Sequence, residues 1–205
     1  MTIRPGESWG RVGSVPPGLL RVDDDLALRR LVEQGSGQGP EAVVAPRSGD
    51  CWRAAGGRRE RDRIDAGDEV AVLPWDVFEV WADGRRSWAV AHVIARGRAW
   101  SGELVAVMNV DHRGAWDVAP RAHPNDGRLD VVHVDPRLPW RARFQARRRL
   151  PLGTHVPHPA IRVRQAESIE FTFARPRRLE VDGVVEGWVR HLRVVVHPDR
   201  LTLCV

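Results

Sequence analysis

The chain of 205 residues is long enough for one large or two small domains, and 42% hydrophobic residues suffice for a core. All 32 basic residues are arginine, and the lack of lysine excludes a P-loop and the strand lysine of protein kinases. A net charge of +5 and a pI of about 10.8 fit anionic partners, namely nucleotide phosphates, acidic lipid headgroups or nucleic acid. Two cysteines, Cys51 and Cys204, make no disulfide framework, and no apolar run approaches a membrane span, so a cytoplasmic protein is expected.

Residues 1 to 22, with Gly6, Gly10, Gly13 and Gly18 among Pro5, Pro16 and Pro17, read as extended, turn-rich chain. Asp23 to Asp25 then cap a short helix, Leu26 to Glu33, that stops at Gly35. After a loop over 35–40, Ala42 to Ala45 forms a short strand. It feeds Ser48-Gly49-Asp50-Cys51-Trp52, and this strand, loop and helix start have the layout of an anion site. An ordinary surface loop fits the same residues. A polar break of mixed charge spans 57–67.

Beyond it the chain is strand-rich. Glu69 to Leu73 and Val77 to Ala82 are apolar, Asp83-Gly84 signals a hairpin, and Ser87 to Ala95 continues with Trp88, Val90, His92 and Ile94 on one face. His92 on that stripe reads as a buried, hydrogen-bonded residue, and the tryptophans as core. Leu104 to Asn109 and Leu129 to Val134 read as strands flanking a polar loop. The loop presents Asp111, Asp117 and Asp126, with Asp130 just after it; carboxylates so placed suit Mg²⁺, and hairpin turn chemistry explains them equally. Trp140 to Leu150 forms a helix with five arginines from Arg141 to Arg149, a solvated charge run or a face for lipid headgroups or a phosphate backbone. His155 and His158 have a metal-like spacing, but Pro157 between them and the missing partners disfavour zinc.

Four ordered blocks carry a resemblance. They are Asn109, Gly114 and Ala119-Pro120-x-Ala-x-Pro-Asn-Asp-Gly-x-Leu-Asp130; Gly153-Thr-His155 with Pro159; Arg178 to Asp182-Gly183; and Pro198-Asp-Arg-Leu201. Together they resemble the C-terminal domain of the diacylglycerol kinase and sphingosine kinase family of lipid kinases. The resemblance implies an α+β protein, with a β-sandwich-like domain over 68–205 and a short, incomplete α/β segment over 1–67. Only 47 residues precede Ser48. The expectation is therefore a reduced relic of the nucleotide domain, or a chain whose nucleotide site a partner chain completes; a homo-oligomer is left open.

The resemblance further implies ATP-dependent phosphorylation of a diacylglycerol-type hydroxyl at a membrane surface. Asp182 would be the catalytic base, Gly49 and Asp50 would sit by the phosphates of ATP, and Asp126 would hold Mg²⁺. The family's Gly-Gly-Asp-Gly-Thr loop is matched here only at Gly49 and Asp50, and Val184 replaces the glutamate of its Asp-Gly-Glu triplet. The alternative is a non-catalytic relative binding a lipid, nucleotide or protein partner. Nucleic-acid binding through Arg141 to Arg149 is disfavoured for want of a recognisable motif.

Overall fold

The computed structural model describes residues 8–35, 43–57, 64–65 and 67–205. All but Gly35 of the expected loop over 35–40, and most of the break over 57–67, lie outside the described residues. In chain order the strands are β1 (Arg11–Ser14), β2 (Leu20–Val22), β3 (Val43–Pro46), β4 (Glu69–Ala82), β5 (Arg85–Ala89), β6 (His92–Arg96) and β7 (Leu104–Met108). They continue with β8 (His112–Arg113), β9 (Trp116–Asp117), β10 (Leu129–Val134), β11 (Ile161–Ala166), β12 (Ser168–Val181) and β13 (Val184–Cys204). The helices are α1 (Asp25–Glu33), α2 (Asp50–Ala54) and α3 (Trp140–Arg149).

One antiparallel path, β1-β4-β13-β12-β6-β7-β10-β11, forms the body, with β5 on β4 and a parallel pair β2-β3 added beside β13. The sheet curls on itself. Phe78 and Val80 of β4, Val105 and Val107 of β7, Leu129 and Val131 of β10, and Phe173 of β12 meet in the enclosed core. The opposite face of β6, β7 and β10, carrying Ile94, Leu104, Ala106, Met108 and Val132, is covered by α3. A third cluster lies beneath α1 and α2, where Leu28, Val32 and Cys51 pack on Trp75, Val77 and Leu203. Because β7 is apolar on both faces, it can be buried in two layers at once.

Local chemistry sets several boundaries. Asp24 caps α1 by accepting from the Ala27 N–H at 2.9 Å. Asp83 and Gly84, both left-handed at φ 49 and 81, close the β4–β5 hairpin as their sequence predicts. Two expectations are corrected. The segments 69–73 and 77–82 form one strand: Pro74, which has no N–H to give, stays in register opposite Thr202, and the irregularity of β13 between His197 and Leu201 falls opposite Trp75 to Val77. The single strand expected over 87–95 is two, β5 and β6, broken at Val90-Ala91, where the chain leaves β4 to pair with β7 and β12.

Candidate functional site

The break at Val90-Ala91 is a corner at which no ladder can satisfy the backbone. Its three successive N–H groups, of Val90, Ala91 and His92, donate to the carboxylate of Asp182 at 3.0, 2.9 and 3.0 Å. The carbonyl oxygens are also used. Val90 accepts from the Asn109 side-chain amide at 2.8 Å and from the Trp75 indole at 3.1 Å, Ala91 from the Asn109 N–H, and His92 from the Asp182 N–H. Asp182 adopts the left-handed conformation, φ 46, and with Gly183 turns β12 into β13. Asn109 and Asp182 thus hold one corner from opposite sides.

Asp50 approaches the same corner from the N-terminal segment. Its carboxylate lies 3.3 Å from Nε2 of the buried His92 and accepts from the Gly114 N–H at 2.9 Å. Arg53 closes the contact by donating to the Gly114 carbonyl. The structure therefore brings Asp50, His92 and Asp182 together, with His92 between the two acids. Burial opposes a charged His92, but the hydrogen bond to Asp50 and the charges of Asp182 and Asp50 outweigh it and raise its pKa. Burial likewise opposes the Asp50 carboxylate, yet the His92 hydrogen bond and charge, with the Gly114 N–H, hold its pKa below the usual value. For Asp182, burial wins over His92 and the three N–H groups, and its pKa is raised.

The anion position predicted at the start of α2 is filled by the chain itself. Asp25, at the first turn of α1, accepts from the Asp50 and Cys51 N–H groups at 2.6 and 3.1 Å. Gly49, left-handed at φ 102, is what permits this approach, since a Cβ there would run into the Asp25 carboxylate. Burial pushes Asp25 up to about 6, the two N–H bonds pulling the other way. Nearby, the buried Arg29 pairs with Glu33 at 2.9 Å and with Glu186 of β13 at 2.6 Å, tying α1 to the hairpin that carries Asp182. The groups at the loop of Gly49 and Asp50 thus already have internal partners, which does not fit a phosphate seated on the same N–H pair.

Asp126 lies elsewhere. Its carboxylate accepts from the Arg128 N–H at 2.9 Å and from the Gln165 amide at 3.0 Å, and Gln165 also reaches Asp130 at 3.3 Å. Among the described residues no three His, Cys, Asp or Glu side chains stand close enough to share a metal ion, so the side chains here do not by themselves form a Mg²⁺ shell. The residue that organises this loop is Asp76, which the sequence analysis did not single out. Fully buried, it accepts from the Gly127 N–H at 2.8 Å, the Asp199 N–H at 3.0 Å and the Asn125 amide at 3.2 Å. Burial pushes Asp76 up to about 6. An acid at a buried position of the apolar run of β4 was the available signal.

Sequence reasoning also missed a cavity of about 320 Å³ between α3 and the sheet. Its floor is the outer face of β6, β7 and β10, with Ile94, Ala106 and Val132; its wall includes Trp100 and Trp116; Trp140 and Phe144 stand at the helix side. The lining is mostly apolar, and the volume falls in the range of small-molecule sites, roughly 300–1,000 Å³. Arg113 connects the two regions. It lines the cavity, pairs with the buried Glu180, and precedes Gly114, whose N–H binds Asp50.

These features are those of a β-sandwich-like domain with a docked α/β segment. Residues 68–205 match the family described as the YegS C-terminal NAD kinase beta sandwich-like domain, and the chain belongs to that family. Solved structures named as diacylglycerol kinases from Bacillus anthracis share the fold. One aligns with a TM-score of 0.68 at 14% identity over 90% of this chain and 76% of that one, and a second with 0.63 at 12% over 90% and 77%. No curated protein matches by sequence. No helix among the described residues is long and apolar enough to cross a membrane.

Proposed function

We propose that the protein is a non-catalytic relative of the lipid kinases that binds a lipid through its apolar portion in the cavity beneath α3. The observation that carries this reading is the pairing of an apolar, ligand-sized cavity with a neighbouring cluster whose polar groups are spent on one another. Asp182 accepts three backbone N–H groups, and Asp25 takes the two at the start of α2. A base must offer a free lone pair to the hydroxyl it deprotonates; three of the roughly four acceptor positions of the Asp182 carboxylate are taken by backbone N–H groups, and the side chain is buried. Titration with a fluorescent long-chain fatty acid should show saturable binding with competition by diacylglycerol. Ala106→Leu, which fills the cavity floor, should weaken it at least about tenfold, since a blocked apolar site loses its contacts outright. Absence of saturable binding sinks the proposal.

A second reading, ATP-dependent phosphorylation of a diacylglycerol-type hydroxyl, draws support from one observation: Asp50 and Asp182 flank His92 at one place. It requires Asp182 as base, Gly49 and Asp50 beside the phosphates, and Asp126 at Mg²⁺. Asp25 would have to withdraw first. Assaying transfer of labelled phosphate from ATP to diacylglycerol, with Asp182→Asn as control, decides it: turnover lost in the variant supports the kinase, and no turnover favours the lipid-binding relative. A melting temperature unmoved by millimolar ATP with Mg²⁺ points the same way.

A further inference from the structure

The cavity is roofed by a helix that itself has no fully buried residue. Trp140 and Phe144, four residues apart and so neighbours on one face, stand at the cavity and are 72% and 56% exposed. Leu152, just past the helix, is 76% exposed. Large apolar side chains left in water on adjacent turns mark an interaction surface.

The arginines of α3 divide into two sets. Arg143 donates to the carbonyls of Leu138, Trp100 and Asp135, and Arg147 lies over the Trp116 ring, so both serve the fold. Arg141 and Arg148 instead stack outward on Trp140 and Phe144, at 5.5 and 5.4 Å from the ring centroids, and Arg149 ends the helix. None of these three pairs with a carboxylate among the described residues, and α3 contains no acid. A favourable helix dipole explains cations in the last turn. It explains neither Arg141 in the first turn nor the exposed rings.

We infer that this face docks on an anionic lipid bilayer. Trp140 and Phe144 enter the boundary between headgroups and acyl chains, and Arg141, Arg148 and Arg149 meet lipid phosphates, their apolar stems lying along the rings. The partner is chosen by chemistry: cations and amphipathic aromatics together match a negatively charged interface that is apolar underneath. The cavity mouth then faces the reservoir of its ligand. The inference rests on the lipid-binding reading and gives that site its partner.

Flotation of the full chain with vesicles of phosphatidylcholine, with and without phosphatidylglycerol, tests it. Binding should require phosphatidylglycerol and fall with salt. Arg141→Gln, Arg148→Gln and Arg149→Gln together should weaken it on the order of 100-fold, at about fivefold per arginine near a charged surface. That variant should take up the soluble fluorescent fatty acid as the parent does. Acyl chains brominated near the interface should quench fluorescence in the parent, and markedly less in Trp140→Phe. Equal binding to neutral vesicles, or a triple variant that floats like the parent, overturns the proposal. So does arginine-dependent binding to duplex DNA with no vesicle binding. If vesicles bind as expected while the soluble fatty acid does not, the docking surface stands and the cavity reading falls.

Discussion

The corner held by Asp182 and the cavity under α3 are neighbours, joined through Arg113 and Gly114, yet they are built on opposite terms. At the corner every backbone N–H and C=O from Val90 to His92 has a partner, and two helices and a hairpin converge on it. At the cavity the walls are apolar and space remains. Asn109, Gly114, Asp126 and Asp182, which carry the family resemblance, are engaged in hydrogen bonds within the fold, whereas the space for a ligand is lined almost entirely by residues outside the motifs, with His155 as the exception. A motif in this fold therefore identifies the scaffold before it identifies chemistry.

The sharpest way to break the contrast is Asp182→Ala. It orphans three buried N–H groups, and at about 1–3 kcal/mol for each unsatisfied group the loss should reach at least about 3–5 kcal/mol by urea denaturation. A residue that served only as a base would show no such cost. Next is pH. Asp25, Asp76 and Asp130 have folded pKa values of about 6, above the ordinary 3.8, so the native state holds protons that the unfolded chain releases.

Stability should therefore rise as pH falls from about 7 to about 5. The raised His92 adds in the same direction, its contribution being lost as pH rises through the folded value. A shift of about two units sets an upper bound of about 3 kcal/mol per group. Asp50, lowered, contributes stability above the ordinary carboxylate range that is lost only in stronger acid. Denaturation midpoints that are flat or fall between about pH 7 and 5 contradict this.

Gly49→Ala should cost roughly 1–3 kcal/mol, because it meets both a left-handed backbone and the Asp25 carboxylate. If Gly49 serves only a ligand, its thermal melt stays put. The smallest effect belongs to the cavity: Ala106→Leu should change stability by less than about 1.5 kcal/mol, since it adds bulk where space exists. Its consequence should appear in lipid binding.

Much of the secondary structure was legible because it is local. Leu129–Val134 and the Trp140 helix follow from apolar runs and flanking prolines, the Asp24 cap from a single side chain, and the hairpin at Asp83-Gly84 from φ preferences. Two elements misled for the same reason. Ser87 to Ala95 has unbroken β-pattern, and nothing within it announces that Asp182, some ninety positions on, takes its N–H groups and bends it in two. Gly49-Asp50 has the composition of a phosphate loop, and only the position of α1 shows that Asp25 occupies it.

By itself, the sequence determined the β-rich α+β class, the family resemblance and the arginine-dense helix, since these rest on composition, periodicity and ordered motifs. Tertiary structure decided what each motif does. It turned Asp182 and Asn109 into clamps on one corner, set Asp76 under the loop of Asp126, divided the arginines of α3 between carbonyls and solvent, and left a cavity at Ala106. All of these depend on which distant groups meet, and pairing across ninety residues has no local signature along the chain.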